Sequence, residues 1–485
     1  MIPLTLRQVA EVVGGTATGD GDVRRLVIDS RKVQPGDLFV ALPGERVDGH
    51  DYARAAVNAG AAGVLASRDV GVPSVLVADP AEALGTLACW TCARLPATVV
   101  GITGSSGKTS TKDLVAQVLE RRGRTVAPVG SYNNELGLPL TVLSADEETE
   151  FLVLEMAARG TGHIAWLCSV APPDVGVVLN VGVAHLGEFG SQEAIAQAKG
   201  ELVEALKPEG LAVLNAADPL VHGMRPRTRA RVVEAWADYT AEDVTYDALD
   251  RASFTLVTPR GRAPVTLRLV GEHHVGNALA AAAVGEECGM TTEEVADALS
   301  AAVPRSRWRM EVTDLPNGVT IVNDAYNANP DSMRAALKVL ADVGRSGRRT
   351  WAVLGEMAEL GEAAWDAHDD VGRLCVRLNV ERLVVVGEAA KGIHAGASLE
   401  GSWGNEAVFV PDAAAALALL RTELKDGDVV LVKASRAAAL ERVALALTGE
   451  LPDPGDPAAD PAPDPTSQPT SHSTGEPTDP TEVTA

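Results

Sequence analysis

The stretch Thr98-Val-Val-Gly-Ile-Thr-Gly-Ser-Ser-Gly-Lys-Thr-Ser110 places an apolar run directly before a glycine- and serine-rich loop. A helical pattern follows the loop over Thr111–Arg121. A strand, a loop and a helix in this order present backbone N–H groups and a helix N-terminus to an anion. Glycines at 104 and 107 let the backbone wrap closely. The stretch therefore predicts a phosphate-binding loop at the end of a β-strand.

Two side chains of the loop carry chemistry. Lys108 can reach the β- and γ-phosphates of a nucleotide, and the Thr109 hydroxyl can ligate Mg²⁺. The loop has the form G-x-x-G-K-T-S rather than the longer G-x-x-x-x-G-K-[ST], because position 102 is Ile. A chance Gly/Ser turn is the alternative, and the strand–loop–helix context disfavours it. The predicted nucleotide contacts are Gly104, Ser105, Ser106, Gly107, Lys108, Thr109 and Ser110.

Short β-branched runs alternate with Ala-rich amphipathic stretches on both sides of this loop. Such alternation is typical of βαβ units and parallel sheets. We predict domains over residues 1–96, 97–303 and 304–448, followed by a tail over 449–485. The tail is rich in Pro, Asp, Thr and Ser and has no Lys or Arg. That composition predicts a disordered segment.

The predicted elements follow from these runs. The strands are Leu26–Asp29, Asp37–Leu42, Gly63–Ala66, Ser74–Val77, Thr98–Thr103, Phe151–Leu154, Val175–Asn180, Val319–Asn323, Thr350–Leu354, Arg382–Val386, Val408–Val410 and Val429–Val432. A hairpin is predicted to pair Phe254–Thr258 with Val265–Val270. Predicted helices include Tyr52–Ala59 and Glu82–Arg94.

Composition excludes several classes of protein. The formal charge of −24 over 485 residues argues against a nucleic-acid partner, because phosphate neutralisation needs Lys and Arg. Five cysteines fit reduced thiols, and Cys89-x-x-Cys92 lacks the second pair that a zinc site needs. Arg7 and Glu11 interrupt any N-terminal signal, and no apolar run approaches the roughly 20 residues that span a bilayer. We therefore expect a cytoplasmic protein without membrane insertion.

Polar residues stand where two predicted strands end. Glu155 ends the apolar run of Phe151–Leu154, and His185 lies in the loop after Val175–Asn180. Ligands in open α/β sheets bind at the carboxyl ends of strands. With Thr109, these residues could form an oxygen-rich Mg²⁺ site that includes one imidazole. The alternatives are a salt-bridged strand end for Glu155 and an ordinary loop histidine for His185.

Lys199 lies on the apolar side of a predicted helix. Ser191 is a plausible N-cap for a helix over Gln192–Leu206. The stripe that contains Lys199 is formed by Ile195, Ala198, Leu202 and Leu206, and we place Glu201, Glu204 and Lys207 on the opposite side. A lysine on such a face either extends its amine to solvent or has a chemical role.

At these positions the sequence resembles the Mur ligase family. The motifs occur in the family's order: Thr103–Ser110, Glu155, the His185 segment, Ala198–Glu201, Gly271–Ala280 and Arg305–Glu311. The resemblance covers about residues 1–448. It implies an α/β fold of three domains: a small N-terminal α/β domain, a central P-loop parallel sheet and a Rossmann-like C-terminal domain. It also implies an ATP-dependent carboxylate–amine ligase that works through an acyl phosphate.

Motifs in the N-terminal and C-terminal parts of the chain resemble particular members of the Mur ligase family. Asp29–Gly44 and Asp48–His50 resemble the UDP-binding domain shared by members that add the third amino acid or a D-alanyl-D-alanine dipeptide. Similarity to the dipeptide-adding members lies in Ser131–Pro139, Asn323–Met333, Gly355–Gly361 and Lys433–Arg436. The implied substrates are UDP-N-acetylmuramoyl-tripeptide and D-alanyl-D-alanine, used by a monomer in bacterial cell-wall synthesis. Alternatives are a ligase adding the third amino acid, a folylpolyglutamate-synthase-like ligase, or a P-loop ATPase without ligase function.

The resemblance also implies residue roles. Lys108, Glu155, His185 and Lys199 are the expected catalytic residues. The metal-associated set is Thr109, Glu155, His185 and a carbamylated Lys199, with Mg²⁺ as the ion. Asn277 is expected to contact adenine and Arg309 a phosphate, with Arg305 and Arg307 as competitors. Expected substrate contacts are Ser30, Arg31, Asn133, Asn134, Asp324, Asn327, Asn329, Lys433 and Arg436. His274 and Ala434 depart from the family, which usually has Asn and often Gly there.

Overall fold

The computed structural model describes residues 1–44, 47–128, 130–182, 189–401 and 406–451. Its N-terminal segment contains strands β1 (Leu4–Thr5), β2 (Thr16–Thr18), β3 (Asp22–Val23), β4 (Arg25–Val27), β5 (Asp37–Val40), β6 (Gly63–Ala66) and β7 (Ser74–Leu76). Its helices are α1 (Leu6–Val13), α2 (Ala53–Asn58) and α3 (Pro80–Cys92), with 3₁₀ turns at Ser30–Lys32 and Gly49–Tyr52. The main sheet has the order β2-β7-β6-β5-β4, and β1 pairs with β3.

Local signals explain where these N-terminal helices begin. In α1, Thr5 and Gln8 form a reciprocal capping box, and Gly14 ends the helix at φ 65°. In α3, the Asp79 carboxylate accepts the first free N–H groups, and Pro80 stands at the first helical position. Helix α3 buries its apolar face against the next segment of the chain.

The middle segment carries a parallel sheet. Its strands are β8 (Thr98–Thr103), β9 (Thr125–Val126), β10 (Phe151–Glu155), β11 (Val175–Val178), β12 (Leu211–Asn215) and β13 (Arg231–Ala235). The order is β13-β12-β11-β8-β10-β9. Strand β8 is therefore central, with β11 on one side and β10 on the other. The strand order reverses beside β8, which is where open parallel sheets bind ligands.

Helices cover both faces of this sheet. They are α4 (Lys108–Leu119), α5 (Gly137–Ser144), α6 (His163–Val170), α7 (Gln192–Glu204), α8 (Pro219–His222), α9 (His273–Glu287) and α10 (Thr292–Ala301), with a 3₁₀ turn at Arg225–Arg227. A separate antiparallel sheet is formed by β14 (Thr240–Tyr246), β15 (Arg251–Val257) and β16 (Arg262–Val270). The alanine-rich α9 is buried between β12, β13 and α4.

The C-terminal segment repeats the α/β pattern. Its strands are β17 (Glu311–Asp314), β18 (Thr320–Asn323), β19 (Thr350–Leu354), β20 (Arg382–Val386), β21 (Ala407–Val410) and β22 (Val429–Lys433). Its helices are α11 (Pro330–Gly344), α12 (Ala364–Arg377), α13 (Lys391–Glu400), α14 (Ala413–Glu423) and α15 (Glu441–Thr448), with 3₁₀ turns at Gly361–Ala363, Glu388–Ala390 and Arg436–Ala438. The order is β17-β18-β22-β19-β20-β21, and β17 is antiparallel to β18.

The structure confirms most predicted elements and corrects several bounds. Helix α4 begins at Lys108 rather than Thr111, because the loop turns directly into the helix at Gly107. Strand β11 ends at Val178, and α7 ends at Glu204. The predicted hairpin has a third strand, β14, which sequence analysis missed. The domain limits at 97 and 304 remain a prediction.

Two further predictions concern the membrane and the tail. Within the described ranges, no helix combines the length and the apolar character needed to cross a bilayer. Helix α15 ends at Gly449, which adopts φ 77°. Residues 452–485 of the predicted tail lie outside the described residues.

Candidate active site

A cleft of about 550 Å³ opens between the carboxyl ends of the middle strands and the C-terminal sheet. One wall carries the loop between β8 and α4. The opposite wall carries residues that follow β18 and β22. A site between two sheets can hold one reactant on each side and exclude water when they approach.

The phosphate loop is held in place by contacts with the residues that follow β11. The Asn180 Oδ1 accepts the N–H groups of Ser105 and Ser106, each at 2.9 Å. A Cβ on Gly104 would lie 2.9 Å from the Cβ of Leu179, so only glycine fits this close approach. Gly107 then enters α4 at φ 77°, a conformation that favours glycine.

The N-terminus of α4 points its backbone donors at the cleft. No side chain among the described residues caps this helix. Its first N–H groups are therefore free of side-chain acceptors and suit a phosphate. The Lys108 Nζ donates to the Gly104 carbonyl at 2.8 Å, so the amine folds back over its own loop. Desolvation lowers the pKa of Lys108, and the charge of Glu155 acts in the opposite direction.

A hydroxyl–carboxylate network adjoins the loop. The Thr109 hydroxyl donates to Glu155 Oε2 at 2.8 Å and lies 2.7 Å from Ser131 Oγ. The Asn133 amide donates to Glu155 Oε1 at 2.7 Å. Thr109 and Glu155 are both 1% exposed. Hydroxyl and carboxylate oxygens are the donors that a hard cation such as Mg²⁺ prefers, so these residues fit such an ion.

Lys199 is buried within α7, as the sequence pattern predicted. The Ser191 hydroxyl caps this helix by accepting the Ala194 N–H at 3.1 Å, which confirms the predicted N-cap. Lys199 is 5% exposed. Burial lowers the pKa of its amine well below the ordinary value, and the charge of Lys108 acts in the same direction. The amine therefore does not extend to solvent.

The C-terminal wall carries a buried ion pair. The Lys433 Nζ lies 2.5 Å from Asp324 Oδ2 and donates to the Asn327 carbonyl at 2.9 Å. Asp324 Oδ1 accepts the Met310 N–H at 3.0 Å. These bonds fix the chain that follows β18 against the end of β22.

Arg309 spans the cleft between the two walls. Its Nη2 donates to Ser131 Oγ at 2.6 Å, and its guanidinium lies 4.3 Å from the ring centroid of Tyr326. Its buried Nε has no hydrogen-bond partner in the part of the chain that the structure describes. An unsatisfied buried guanidinium donor is costly unless an anion binds beside it.

Three family models match the chain. They are described as "Mur ligase family, catalytic domain" over residues 22–89, "Mur ligase middle domain" over 102–285, and "Mur ligase, glutamate ligase domain" over 308–436. A UDP-N-acetylmuramoyl-tripeptide–D-alanyl-D-alanine ligase from Mycobacterium tuberculosis (strain H37Rv) is 52% identical, and the match covers 93% of this chain and 98% of that one. The chain belongs to the Mur ligase family.

Solved structures agree with this assignment. Crystal structure I of MurF from Acinetobacter baumannii matches with a TM-score of 0.82 and 31% identity, covering 92% of this Mur ligase and 99% of that chain. MurF from Thermotoga maritima in complex with ADP matches with a TM-score of 0.75 and 33% identity, covering 88% and 98%. The predicted family and the predicted α/β architecture are confirmed.

The cleft of this Mur ligase brings together most of the residues that the sequence singled out. From the middle segment it is lined by Ser105, Ser106, Gly107, Lys108, Thr109, Ser110, Asn133, Asn134, Glu155 and Asn277. From the C-terminal segment it is lined by Arg309, Asp324, Asn327, Asn329, Lys433 and Arg436. Gly104 lies directly behind the loop, at the end of β8.

Other predicted residues lie elsewhere. Ser30 and Arg31 belong to the N-terminal segment, where Arg31 forms an ion pair with Asp29 at 2.8 Å. Neither lines the cleft. Lys199 lies on α7 and does not line the cleft. His185 lies outside the described residues, so its predicted place in the site stays a prediction.

The structure separates the three candidate arginines. Arg305 pairs with Glu120 at 2.5 Å, and Arg307 pairs with Glu450 at 2.6 Å. Both pairs are exposed and neither arginine lines the cleft, whereas Arg309 does. Arg309 is therefore the arginine of this segment that can reach a bound anion.

The helical pattern placed Glu201 opposite the stripe that contains Lys199, and the structure adds that this side chain is buried there. Glu201 is 7% exposed. Its carboxylate accepts the N–H groups of Gly162 at 2.6 Å and Ala165 at 2.9 Å. The N-terminus of α6 supplies these donors, so a buried carboxylate is stabilised there.

Sequence reasoning missed several residues of the site. Asn180 holds the loop, Ser131 bridges Thr109 and Arg309, and Trp236 lines the cleft. Asn180 follows a predicted strand, and that position could have marked it. Asn329 was predicted to bind substrate, and the structure adds that its amide oxygen caps α11 by accepting the Ser332 N–H at 2.9 Å.

Proposed function

We propose that this Mur ligase joins D-alanyl-D-alanine to UDP-N-acetylmuramoyl-tripeptide at the expense of ATP. The observation that carries the proposal is the 52% identity, over 93% of the chain, to a relative whose name states this reaction. The cleft supports the proposal, because the phosphate-binding loop lines one wall and the polar residues proposed to bind the dipeptide line the other. The protein acts as a monomer in the cytoplasm.

The reaction has two steps. An oxygen of the tripeptide carboxylate attacks the γ-phosphorus of ATP, the bond to ADP breaks, and an acyl phosphate forms. The dipeptide amine then attacks the acyl carbon, loses a proton, and phosphate leaves with the bonding electrons of its C–O bond. ATP supplies the driving force, because a carboxylate does not otherwise condense with an amine at neutral pH.

The residues around α4 stabilise the transferred phosphoryl group. The N–H groups of the loop and the Lys108 ammonium place positive charge where negative charge builds up. Lys108 leaves the Gly104 carbonyl to reach the phosphates. Arg309 adds a donor from the opposite side, because its buried Nε is available for an anion. Asn277 contacts adenine.

Mg²⁺ would be held by Thr109 and Glu155, whose buried oxygens fit a hard cation. His185 and a carbamylated Lys199 complete the proposed set. The buried position of Lys199 on α7 supports the carbamate, because adding CO₂ turns an amine into an anionic oxygen donor. When bound, the ion would neutralise charge between the phosphates and the attacking carboxylate.

The remaining predicted residues bind the peptide substrates. Ser30 and Arg31 contact the uridine nucleotide in the N-terminal segment. The acceptor side is formed by Asn133, Asn134, Asp324, Asn327, Asn329, Lys433 and Arg436. The Asp324–Lys433 pair offers both a carboxylate for the dipeptide amine and an ammonium for its carboxylate.

Product mass spectrometry tests the proposal. The purified protein is incubated with UDP-N-acetylmuramoyl-tripeptide, ATP, Mg²⁺ and D-alanyl-D-alanine. We expect a product with the mass of the donor plus the dipeptide less one water, together with equal amounts of ADP and phosphate. The Lys108→Ala variant should form none while remaining folded, because Lys108 contacts phosphate rather than the core.

Two results would contradict the proposal. Incorporation of a single amino acid onto a shorter donor, with no use of the dipeptide, would indicate the ligase that adds the third residue. ATP hydrolysis at full rate without any acceptor would indicate an ATPase. Near-normal turnover by Lys108→Ala would remove the role of the phosphate loop.

A further inference from the structure

Trp236 occupies a strained position at the rim of the cleft. It follows β13 directly, is 40% exposed and lines the cleft. Its φ is 68°, in the left-handed region that bulky residues rarely adopt. Strained backbone of this kind is concentrated at functional sites.

The turn that contains Trp236 is held by hydrogen bonds of the neighbouring residues rather than by contacts of the indole. The Trp236 N–H donates to the Tyr239 carbonyl at 2.7 Å, and the Glu234 carbonyl accepts the Asp238 N–H at 2.8 Å. Tyr239 is 1% exposed, and its hydroxyl donates to Glu286 at 3.1 Å. The fold thus holds the turn while the indole stays at the surface of the cleft.

The indole lies close to the phosphate loop through α9. A Cβ on Gly276 would lie 3.1 Å from the indole Nε1, so the absence of a side chain there leaves room for the ring. The next residue, Asn277, has its Oδ1 3.0 Å from the position of a Cβ on Gly107. Loop, Asn277 and Trp236 therefore follow one another along the cleft.

The Trp236 side chain is partly exposed. Among the described side chains, no aromatic ring stacks on it and no cation lies over it. By contrast, Trp308 has the Arg436 guanidinium 4.6 Å from its ring centroid. The lining of the cleft also includes the small apolar residues Val213, Ala235 and Ala280, of which Ala235 directly precedes Trp236. An exposed aromatic ring in a cleft that also has apolar lining suits a flat heteroaromatic ring.

We propose that Trp236 is the stacking surface for the purine base of the nucleotide. When its phosphates bind at the N-terminus of α4, the nucleotide extends its base past Asn277 toward the indole. The residue therefore selects a nucleotide over a base-free polyphosphate. The inference rests on the proposed function only in that the loop over 104–110 binds the phosphates of ATP.

The test uses Trp236→Gly, which removes the ring and suits the backbone, since glycine adopts positive φ without strain. Calorimetry measures the Kd of ADP and of inorganic tripolyphosphate for the full chain. Because stacking of one base on an aromatic ring is worth a factor of about 10 to 100 in affinity, the Kd of ADP should rise by that factor. The Kd of tripolyphosphate should not change. Trp365→Ala is the matched control, because Trp365 is 57% exposed and lies outside the cleft.

Fluorescence gives a second measurement. ADP should quench the tryptophan emission of the wild type and of Trp365→Ala, and the quench should be lost in Trp236→Phe. An unchanged Kd of ADP in Trp236→Gly would overturn the inference, as would an equal loss of affinity for tripolyphosphate. Binding is measured without peptide substrates, so a wild type that fails to ligate would overturn the proposed function alone.

Discussion

A buried ion pair on α4 connects the nucleotide site to the chain that enters the C-terminal sheet. The Lys112 Nζ lies 2.5 Å from Asp113 Oδ1 and donates to the Pro128 carbonyl at 2.8 Å. Asp113 Oδ2 accepts the Ser306 N–H at 3.0 Å. Lys112 is 1% exposed and Asp113 is 6% exposed. We predict that Asp113→Ala strongly destabilises α4.

The magnitude follows from burial. Removing Asp113 leaves the Lys112 ammonium inside the protein without its counter-charge, and it leaves the Ser306 N–H without its acceptor. Removing one partner of a buried ion pair lowers the stability by about 3–5 kcal/mol, and this figure includes the cost of leaving the other partner unpaired. An exposed pair linking the same two segments, Arg305 with Glu120, should contribute only about 0–1 kcal/mol.

Native-state hydrogen exchange of the α4 amides measures the effect, because it reports the opening free energy of one helix in a chain of several domains. Asp113→Ala should lower that free energy by about 3–5 kcal/mol, and Glu120→Ala by less than about 1 kcal/mol. The double variant Lys112→Met/Asp113→Asn should recover most of the loss, since no unpaired charge remains. Equal effects of Asp113→Ala and Glu120→Ala would refute the reasoning, as would a double variant no more stable than Asp113→Ala.

Three further predictions concern chemistry, pH and the tail. Lys199→Ala should lose nearly all ligation activity yet bind ADP normally in a calorimetric titration. Lys199→Arg should be equally inactive, because a guanidinium stays cationic. Wild-type turnover by Lys199→Arg would exclude the carbamate. Burial lowers the pKa of His368, whose Nε2 accepts the Met357 N–H at 2.9 Å, so its contribution to stability is complete above about pH 6.5 and is lost as the pH falls. The Tm of His368→Gln should therefore fall less than that of the wild type between about pH 7.5 and 5, and parallel curves would contradict this. Truncation after Thr448 should leave turnover within a few-fold, because the described contacts it removes are the exposed Arg307–Glu450 pair and hydrogen bonds at the end of α15. A large loss of turnover would show that the tail contributes.

The sequence predicted the parts of the site that local patterns encode. The loop before α4 and the end of β10 are marked by apolar runs that stop at Gly104 and Glu155. Strand β14 was missed because Thr240–Tyr246 is polar and mostly exposed, so it shows no apolar alternation. Its place in a sheet depends on pairing with β15, which a local pattern does not reveal.

Residues that act through distant contacts were harder to predict. Asn180 holds a loop that is 74 residues away in the chain, and Arg309 contacts a hydroxyl 178 residues away. The burial of Glu201 could not be predicted, because a helical projection does not reveal that the N-terminus of α6 supplies two donors for it. The exposed orientation of Trp236 arises from a turn geometry that its neighbours impose.

The contacts of α4 explain how one helix serves both halves of the site. Its first residues bind the nucleotide phosphates in the proposed function, and its buried pair holds Ser306. Gln117, a little over one turn further along, exchanges two hydrogen bonds of 3.0 Å with the backbone of Val303. Arg309 follows three residues after Ser306 and reaches back to Ser131 beside Thr109. Because the helix is fixed at both places, α4 links the phosphate loop to the chain that enters the C-terminal sheet.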